Sequence, residues 1–97
     1  MNITKKAEAE KVIIAIEGRI DTTTAPQFEA EIDAVSDVTE LVFDFGGVEY
    51  ISSAGLRVVL KAQKMMNKLG TLKLINVGDE VMDVFDITGF LDILTIE

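Results

Sequence analysis

Two adjacent serines, Ser52 and Ser53, stand between a short apolar run and a long amphipathic segment. Residues 41–45 are predicted to form a strand covered on both faces, and the segment from Ala54 has the periodicity of a helix. Ser53 is the expected N-cap of that helix, with Ser52 as the rival by one position. Because a helix start offers free N–H groups and a partial positive charge, a hydroxyl at this point suits attachment of a phosphate.

The predicted helix combines a buried face with a basic row. Its apolar residues recur at helical spacing and are expected to pack on a sheet: Gly55, Val58, Val59, Ala62, Met65, Met66 and Leu69. The basic residues are spaced three or four apart on another face: Arg57, Lys61, Lys64 and Lys68. Leu56 and Leu60 fall at the edge of this row, outside the buried set, which indicates a docking surface; the alternative is a row that is merely solvated.

Composition excludes several classes of function. With 17 acidic and 9 basic side chains the net charge is −8, so we expect no binding to DNA or RNA. The sequence has no Cys, no His and no glycine-rich phosphate loop, so catalysis is not expected. No apolar run reaches the roughly 20 residues of a membrane span, so we expect no membrane contact and a cytoplasmic location.

The order of elements predicts one α/β domain over residues 1–97, with a mixed, largely parallel sheet of about five strands. The expected order is strand, strand, helix, strand, helix, strand, helix, strand. The predicted strands cover 2–8, 11–17, 41–45, 72–77 and part of 90–96, and the predicted helices cover 26–35, 54–69 and 79–89. Asp21 and Ser53 both follow the carboxyl end of a strand, where functional groups gather in open α/β sheets.

Several polar and glycine residues are expected to shape the ends of these elements. Asp44 is expected to accept hydrogen bonds from backbone N–H groups at the Gly-Gly pair that closes its strand. Gly70 is the expected left-handed cap of the long helix. Asp79 is expected to cap the third helix and Gly89 to close it.

The segment Tyr50-Ile51-Ser52-Ser53-Ala54-Gly55-Leu56, after a strand that ends in Asp44-Phe45-Gly46-Gly47, resembles the signature of the STAS family. That family includes the bacterial anti-sigma factor antagonists. The run from Gly18 to Asp21 ahead of a helix is a second STAS feature. The resemblance implies that Ser53 is a phosphoacceptor, with Ser52, where many phosphorylated members have Asp, as the alternative.

The resemblance also implies a mode of action. An unphosphorylated antagonist binds an anti-sigma factor that is also a serine kinase, phosphorylation releases it, and a phosphatase of the PP2C type resets it. ATP and Mg²⁺ then belong to the kinase, and the chain itself needs no cofactor. The expected partner-binding residues are Asp21, Ser52, Ser53, Leu56 and Arg57. The alternatives are a STAS scaffold in a signalling or transport complex that is never phosphorylated, and a domain that itself binds a nucleotide.

Overall fold

The computed structural model describes all residues from 1 to 97 and contains four strands, three helices and one turn of 3-10 helix. The strands are β1 (Asn2–Glu8), β2 (Lys11–Ile20), β3 (Glu40–Ile51) and β4 (Thr71–Ile75). The helices are α1 (Ala25–Asp33), α2 (Ser53–Leu69) and α3 (Asp79–Ile87), and the 3-10 turn covers Phe90–Asp92. The predicted order of elements is therefore confirmed as far as α3. None of the helices has the length and apolar character needed to cross a bilayer.

The strands form one mixed sheet in the order β1-β2-β3-β4. A tight turn joins β1 to β2 as an antiparallel hairpin, while the β2–β3 and β3–β4 pairs are parallel. Both parallel connections step in the same direction across the sheet, so right-handed crossovers place α1 and α2 on the same face. The two helices contact each other there.

All three helices pack on that single face of the sheet. The ring of Phe28 in α1 lies 5.2 Å from the ring of Phe43 and 6.4 Å from that of Phe45. Phe85 of α3 meets Phe45 from the same side, at 6.4 Å. Val42 points to the opposite face and lies outside the main core cluster. No helix packs on that face, where Val42 is nevertheless only 3% exposed, so the predicted cover on both faces is confirmed for this side chain but not as a second layer of helices.

β3 continues past the Gly46-Gly47 pair, which was expected to close it, and runs on to Ile51. Its register against β2 slips twice, once beside Gly47 and once beside Tyr50, so that β3 carries two β-bulges. A Cβ on Gly47 would lie 2.7 Å from the Cγ of Glu17, which explains the glycine in a continuous strand. The bulges let the pair extend as far as Ile20 beside Ile51.

The predicted final strand is absent. Residues after Gly89 form the 3-10 turn, and only one bridge, Leu74 with Ile96, joins the C-terminal segment to the sheet. Phe90 stacks on Phe85 at 6.2 Å and Leu94 is buried, so these side chains pack at helical rather than alternating spacing. The sheet consequently has four strands instead of about five.

The ends of the helices agree with the sequence only in part. α1 begins with Pro26 in its first turn, and Gly89 after α3 is left-handed with φ of 81°, both as expected. The N-cap of α3 is Gly78, so the prediction of an Asp79 cap is wrong by one residue. Ile87, the last residue of α3, is 85% exposed.

Gly70 ends α2, but it does so in an extended conformation with φ of 164°, not as the predicted left-handed cap. The reason for glycine here is a close approach of two chain segments. A Cβ on Gly70 would lie 1.9 Å from the carbonyl oxygen of Thr39. That oxygen accepts a hydrogen bond of 3.0 Å from the N–H of Thr71 at the start of β4. The chain between α2 and β4 is thus held against the entry to β3.

We predict that Gly70→Ala lowers the free energy of unfolding by about 2–3 kcal/mol, because the added methyl group meets backbone atoms that cannot move separately. Gly78→Ala is the matched control, since a Cβ there has no heavy atom within 4 Å. Its effect should stay within about 1 kcal/mol. Urea titration followed by circular dichroism measures both, and equal stability of the two variants would contradict the close contact.

Candidate functional site

The candidate site lies where β2 and β3 end side by side. Ile20 and Ile51 are partners in the parallel ladder, and the N–H of Ser52 donates to the carbonyl oxygen of Ile20 at 2.8 Å. The loop that begins at Asp21 and the start of α2 at Ser53 therefore leave the sheet next to each other. The structure brings these two predicted site segments together at the carboxyl edge of the sheet.

Ser52, and not Ser53, is the N-cap of α2. Its backbone is extended, with φ of −92° and ψ of 175°, and its Oγ accepts a hydrogen bond of 3.3 Å from the N–H of Gly55. The prediction of Ser53 as the cap is wrong because β3 runs directly into the helix through Ile51. Ser53 is instead the first helical residue, exposed to solvent, and its hydroxyl takes part in no hydrogen bond within the chain.

The first turn of α2 is seated directly on the ends of β2 and β3. A Cβ on Gly55 would lie 2.6 Å from the Cγ2 of Ile20 and 2.8 Å from the Cγ1 of Ile51. Only a glycine lets the helix backbone approach these side chains so closely. The position of Ser53 relative to the sheet is therefore fixed by packing on its buried side.

The buried face of α2 is wider than predicted on one flank and narrower on the other. Leu56, expected to be an exposed contact residue, is only 7% exposed and belongs to the core. Gln63, one position beyond the predicted face, is also buried, while Leu69 is exposed. The helical periodicity predicts the spacing of the apolar residues on α2. Which side of the helix is buried depends on the sheet on which it packs. Leu56 is thus not available to a partner.

The basic row of α2 is divided between structural and free side chains. The Nζ of Lys61 lies 2.8 Å from carboxylate oxygens of both Glu29 and Asp33, and these ion pairs tie α2 to α1. The hydrogen bonds that Lys61 donates to Asp33 and then to Glu29 raise the pKa of Lys61 above its ordinary value. The remaining members are exposed and form no ion pair: Arg57, Lys64 and Lys68.

Asp21 organises its own loop. Its Oδ1 accepts hydrogen bonds from the hydroxyl of Thr23 at 2.7 Å, the N–H of Thr23 at 3.0 Å and the N–H of Thr24 at 3.2 Å. The hydrogen bond from the Thr23 side chain is the main cause that lowers the pKa of Asp21. Its backbone carbonyl also accepts from the N–H of Ala25, so Asp21 positions the start of α1.

Asp44 supports the first bulge of β3 as the sequence predicted. Its Oδ1 accepts from the N–H of Gly46 at 2.9 Å, which confirms the expected bond to the glycine pair. The same oxygen also accepts from the Nδ2 of Asn76 at 3.1 Å. This second bond joins β3 to the end of β4, and only the fold brings the two residues together.

Sequence reasoning missed a shallow groove that runs beside Ser53 between α1 and α2. Its volume is about 290 Å³, and it is lined by Thr22, Ala25, Pro26, Glu29, Ala54, Arg57 and Val58. Ligand pockets usually enclose roughly 300–1,000 Å³, so an open groove of this size favours a side chain of a partner over a whole nucleotide. No local pattern indicates it, because its two walls are about 30 residues apart in the sequence.

The sequence matches the STAS domain family over residues 2–97. It is 41% identical over 88 residues to BtrV of Bordetella bronchiseptica, provisionally named an anti-sigma factor antagonist, with 88% of this chain and 76% of that one covered. It is 32% identical over 98 residues to the anti-sigma-B factor antagonist of Bacillus subtilis, with coverage of 99% and 90%. The crystal structure of an anti-sigma factor antagonist from Mycobacterium paratuberculosis has the same fold, with a TM-score of 0.88 at 23% identity and coverage of 98% and 83%.

We predict that Ser52→Ala lowers the free energy of unfolding by about 1 kcal/mol, because the first turn of α2 loses its side-chain cap. Ser53→Ala is the matched control. It should change the free energy of unfolding by no more than about 0.5 kcal/mol, because the hydroxyl of Ser53 forms no hydrogen bond within the chain. Differential scanning calorimetry of both variants measures this difference. A larger loss for Ser53→Ala would show that the cap is at Ser53 after all.

The hydrogen bonds to Asp21 predict a pH dependence. Because its pKa in the folded chain is below the ordinary value of 3.8, Asp21 adds stability above that pH and loses this contribution as pH falls through the lower, folded value. The stability difference between wild type and Asp21→Asn should therefore be largest at neutral pH and shrink in acid. Urea titrations at a series of pH values measure it.

Asp83→Asn is the control for this series, because Asp83 is exposed and accepts no hydrogen bond from another side chain. Its stability difference from wild type should be small at every pH. A difference for Asp21→Asn that does not change between neutral and acidic pH would contradict the proposed role of the carboxylate charge.

Proposed function

The chain belongs to the STAS domain family, and on this premise we propose that it is an anti-sigma factor antagonist controlled by a phosphate on Ser53. Unphosphorylated, it binds an anti-sigma factor that is also a serine kinase, and so sets a sigma factor free for transcription. Phosphorylation by that kinase ends the complex, and a PP2C-type phosphatase restores the binding form. The observation that carries this proposal is the free, exposed hydroxyl of Ser53 on the first turn of α2.

The two serines differ in a way that favours Ser53 as the acceptor. The Oγ of Ser52 is partly buried and bound to the N–H of Gly55, so a phosphate there would break the cap of α2. The Oγ of Ser53 can gain a phosphate without losing any bond in the chain. Asp and Ser are about equally good N-caps, so Ser52 can replace the Asp of many relatives while Ser53 keeps its position.

In the proposed reaction the chain supplies only the nucleophile. The Oγ of Ser53 attacks the γ-phosphorus of ATP held with Mg²⁺ by the kinase, a base of the kinase takes the hydroxyl proton, and ADP leaves. The antagonist itself binds no cofactor in this scheme and has no catalytic role.

The phosphate acts by its charge. It adds about −1.5 to −2 charges at the helix start, where the free N–H groups and the helix dipole stabilise it in the unbound chain. A partner that covers Ser53 would have to remove water from this dianion, and any carboxylate of the partner nearby would be repelled. The folded chain is thus left intact while the complex is destabilised.

The proposed docking surface consists of the exposed residues around Ser53. Arg57 lies one turn further along α2, Lys64 and Lys68 continue the same side of the helix, and the Asp21 loop adjoins its start. Asp21 contributes by shaping that loop, because its Oδ1 is already engaged. Because these three cations form no ion pair within the chain, they would complement an acidic surface on the anti-sigma factor.

We predict that Ser53→Ala binds the anti-sigma factor persistently, so that it serves as bait to isolate the kinase from native cells. With the isolated kinase, ATP and Mg²⁺, the intact mass of wild type should increase by one phosphate, about 80 Da. Ser53→Ala should show no increase, whereas Ser52→Ala should still be phosphorylated.

A mass increase in Ser53→Ala but not in Ser52→Ala would move the acceptor to Ser52. A stable complex with no mass increase in any variant would overturn the switch and favour a STAS scaffold that acts without phosphorylation. Ser53→Asp should weaken binding less than a phosphate does, because one carboxylate has less charge and fewer acceptor oxygens.

A further inference from the structure

We propose that the side chain of Arg57 binds the phosphate on Ser53 within the same chain, an inference that rests on the proposed phosphorylation of Ser53. Phosphorylation then does two things at one step. It adds a dianion to the docking surface, and it withdraws Arg57 from that surface.

The spacing along α2 fits this ion pair. Ser53 and Arg57 are four residues apart and both are exposed, so they lie on the same side of the helix with Cβ atoms about 5–6 Å apart. The phosphate would be N-terminal to the cation, which is the favourable order for such a pair. The planar guanidinium can offer two parallel N–H groups to two phosphate oxygens, which an ammonium cannot do.

In the unphosphorylated chain no carboxylate is paired with Arg57. It forms no ion pair, and the first turn of α2 contains no acidic residue. Glu29 lines the same groove as Arg57, but its carboxylate is bound to Lys61 at 2.8 Å. The Oδ1 of Asp21 accepts hydrogen bonds from Thr23 and Thr24, and its Oδ2 lies 3.9 Å from the Nε of Arg19.

The phosphate in turn has no other cation of the helix within reach. Lys61 is held by two carboxylates of α1. Lys64 is eleven residues from Ser53, which places it about 16 Å further along the helix axis. Because Gly55 seats the first turn against Ile20 and Ile51, the spacing between Ser53 and Arg57 stays fixed. Arg57 is therefore the single side chain on α2 positioned to neutralise the phosphate.

The first experiment needs no kinase. Phosphoserine is incorporated at residue 53 of the full chain during translation, and the second pKa of the phosphate is measured by ³¹P NMR at low salt. Arg57→Ala should raise this pKa by about 0.3, the equivalent of an ion pair of roughly 0.4 kcal/mol. Lys64→Ala, the matched control that removes an equally exposed cation, should change it by less than about 0.1.

Equal changes in the two variants would overturn the pair, since they would reflect net charge alone. In about 1 M NaCl the difference between Arg57→Ala and wild type should vanish, and its persistence would also count against an ion pair. Because the phosphate is placed without a kinase, failure of this measurement is distinct from failure of the kinase to modify Ser53.

A second measurement tests the withdrawal of Arg57. In the unphosphorylated chain, Arg57→Ala should weaken binding to the isolated anti-sigma factor by roughly tenfold. In the chain with phosphoserine at residue 53, the same substitution should change affinity by less than about twofold, because Arg57 no longer faces the partner. Equal losses in both forms would overturn the withdrawal.

Discussion

The seating of α2 on the sheet is the contact on which the rest of the site depends. Gly55 has no room for a side chain against Ile20 and Ile51, and the N–H of Ser52 is bonded to the carbonyl of Ile20. These contacts decide that Ser52 caps the helix and that Ser53 faces outward. They also place the Asp21 loop beside the helix start, so one packing contact assembles both halves of the site.

Some parts of the fold and the site could be predicted from local signals, and others depend on contacts such as this one. Local signals were sufficient where one residue type decides the geometry, as Pro26 does at the start of α1 and Gly89 does after α3. The apolar run and the helical periodicity place the Ser52–Ser53 pair at the start of α2, which the structure confirms, but they do not decide which serine is the cap. That assignment depends on where β3 ends, and β3 is lengthened by two bulges that no periodicity reveals.

Two other wrong predictions concern packing that the spacing of apolar residues does not decide. Leu56 was placed outside the core because the direction of the buried stripe on α2 follows from the sheet beneath it, not from spacing alone. The apolar residues after Gly89 predict a strand, whereas in the fold Phe90 stacks on Phe85 of α3 and Leu94 is buried four residues further on. In both cases the residues are apolar as expected, but the partner of Leu56 lies far away in sequence, whereas that of Phe90 is Phe85, five residues earlier.

The unpaired cations of α2 and the unpaired carboxylates of α3 lie on different helices. Four acidic side chains of α3 are exposed and form no ion pair: Asp79, Glu80, Asp83 and Asp86. The unpaired cations of α2 lie on a different helix, so the molecule is polarised although its net charge is −8. Such a distribution orients an approaching protein before contact and speeds productive encounters.

The helices cover only one face of the sheet, and this affects how the sequence of such a domain can diversify. Because no helix covers the second face, alternate residues of β2 such as Lys11 and Ala15 are only partly buried, while Val12 and Ile14 carry the core. Replacements at the partly exposed positions of this face leave the interior and α2 undisturbed. Equally, the solvent side of α2 can change without disturbing the sheet. Duplicated copies of the gene can therefore acquire new binding preferences through one helix while their architecture is inherited unchanged.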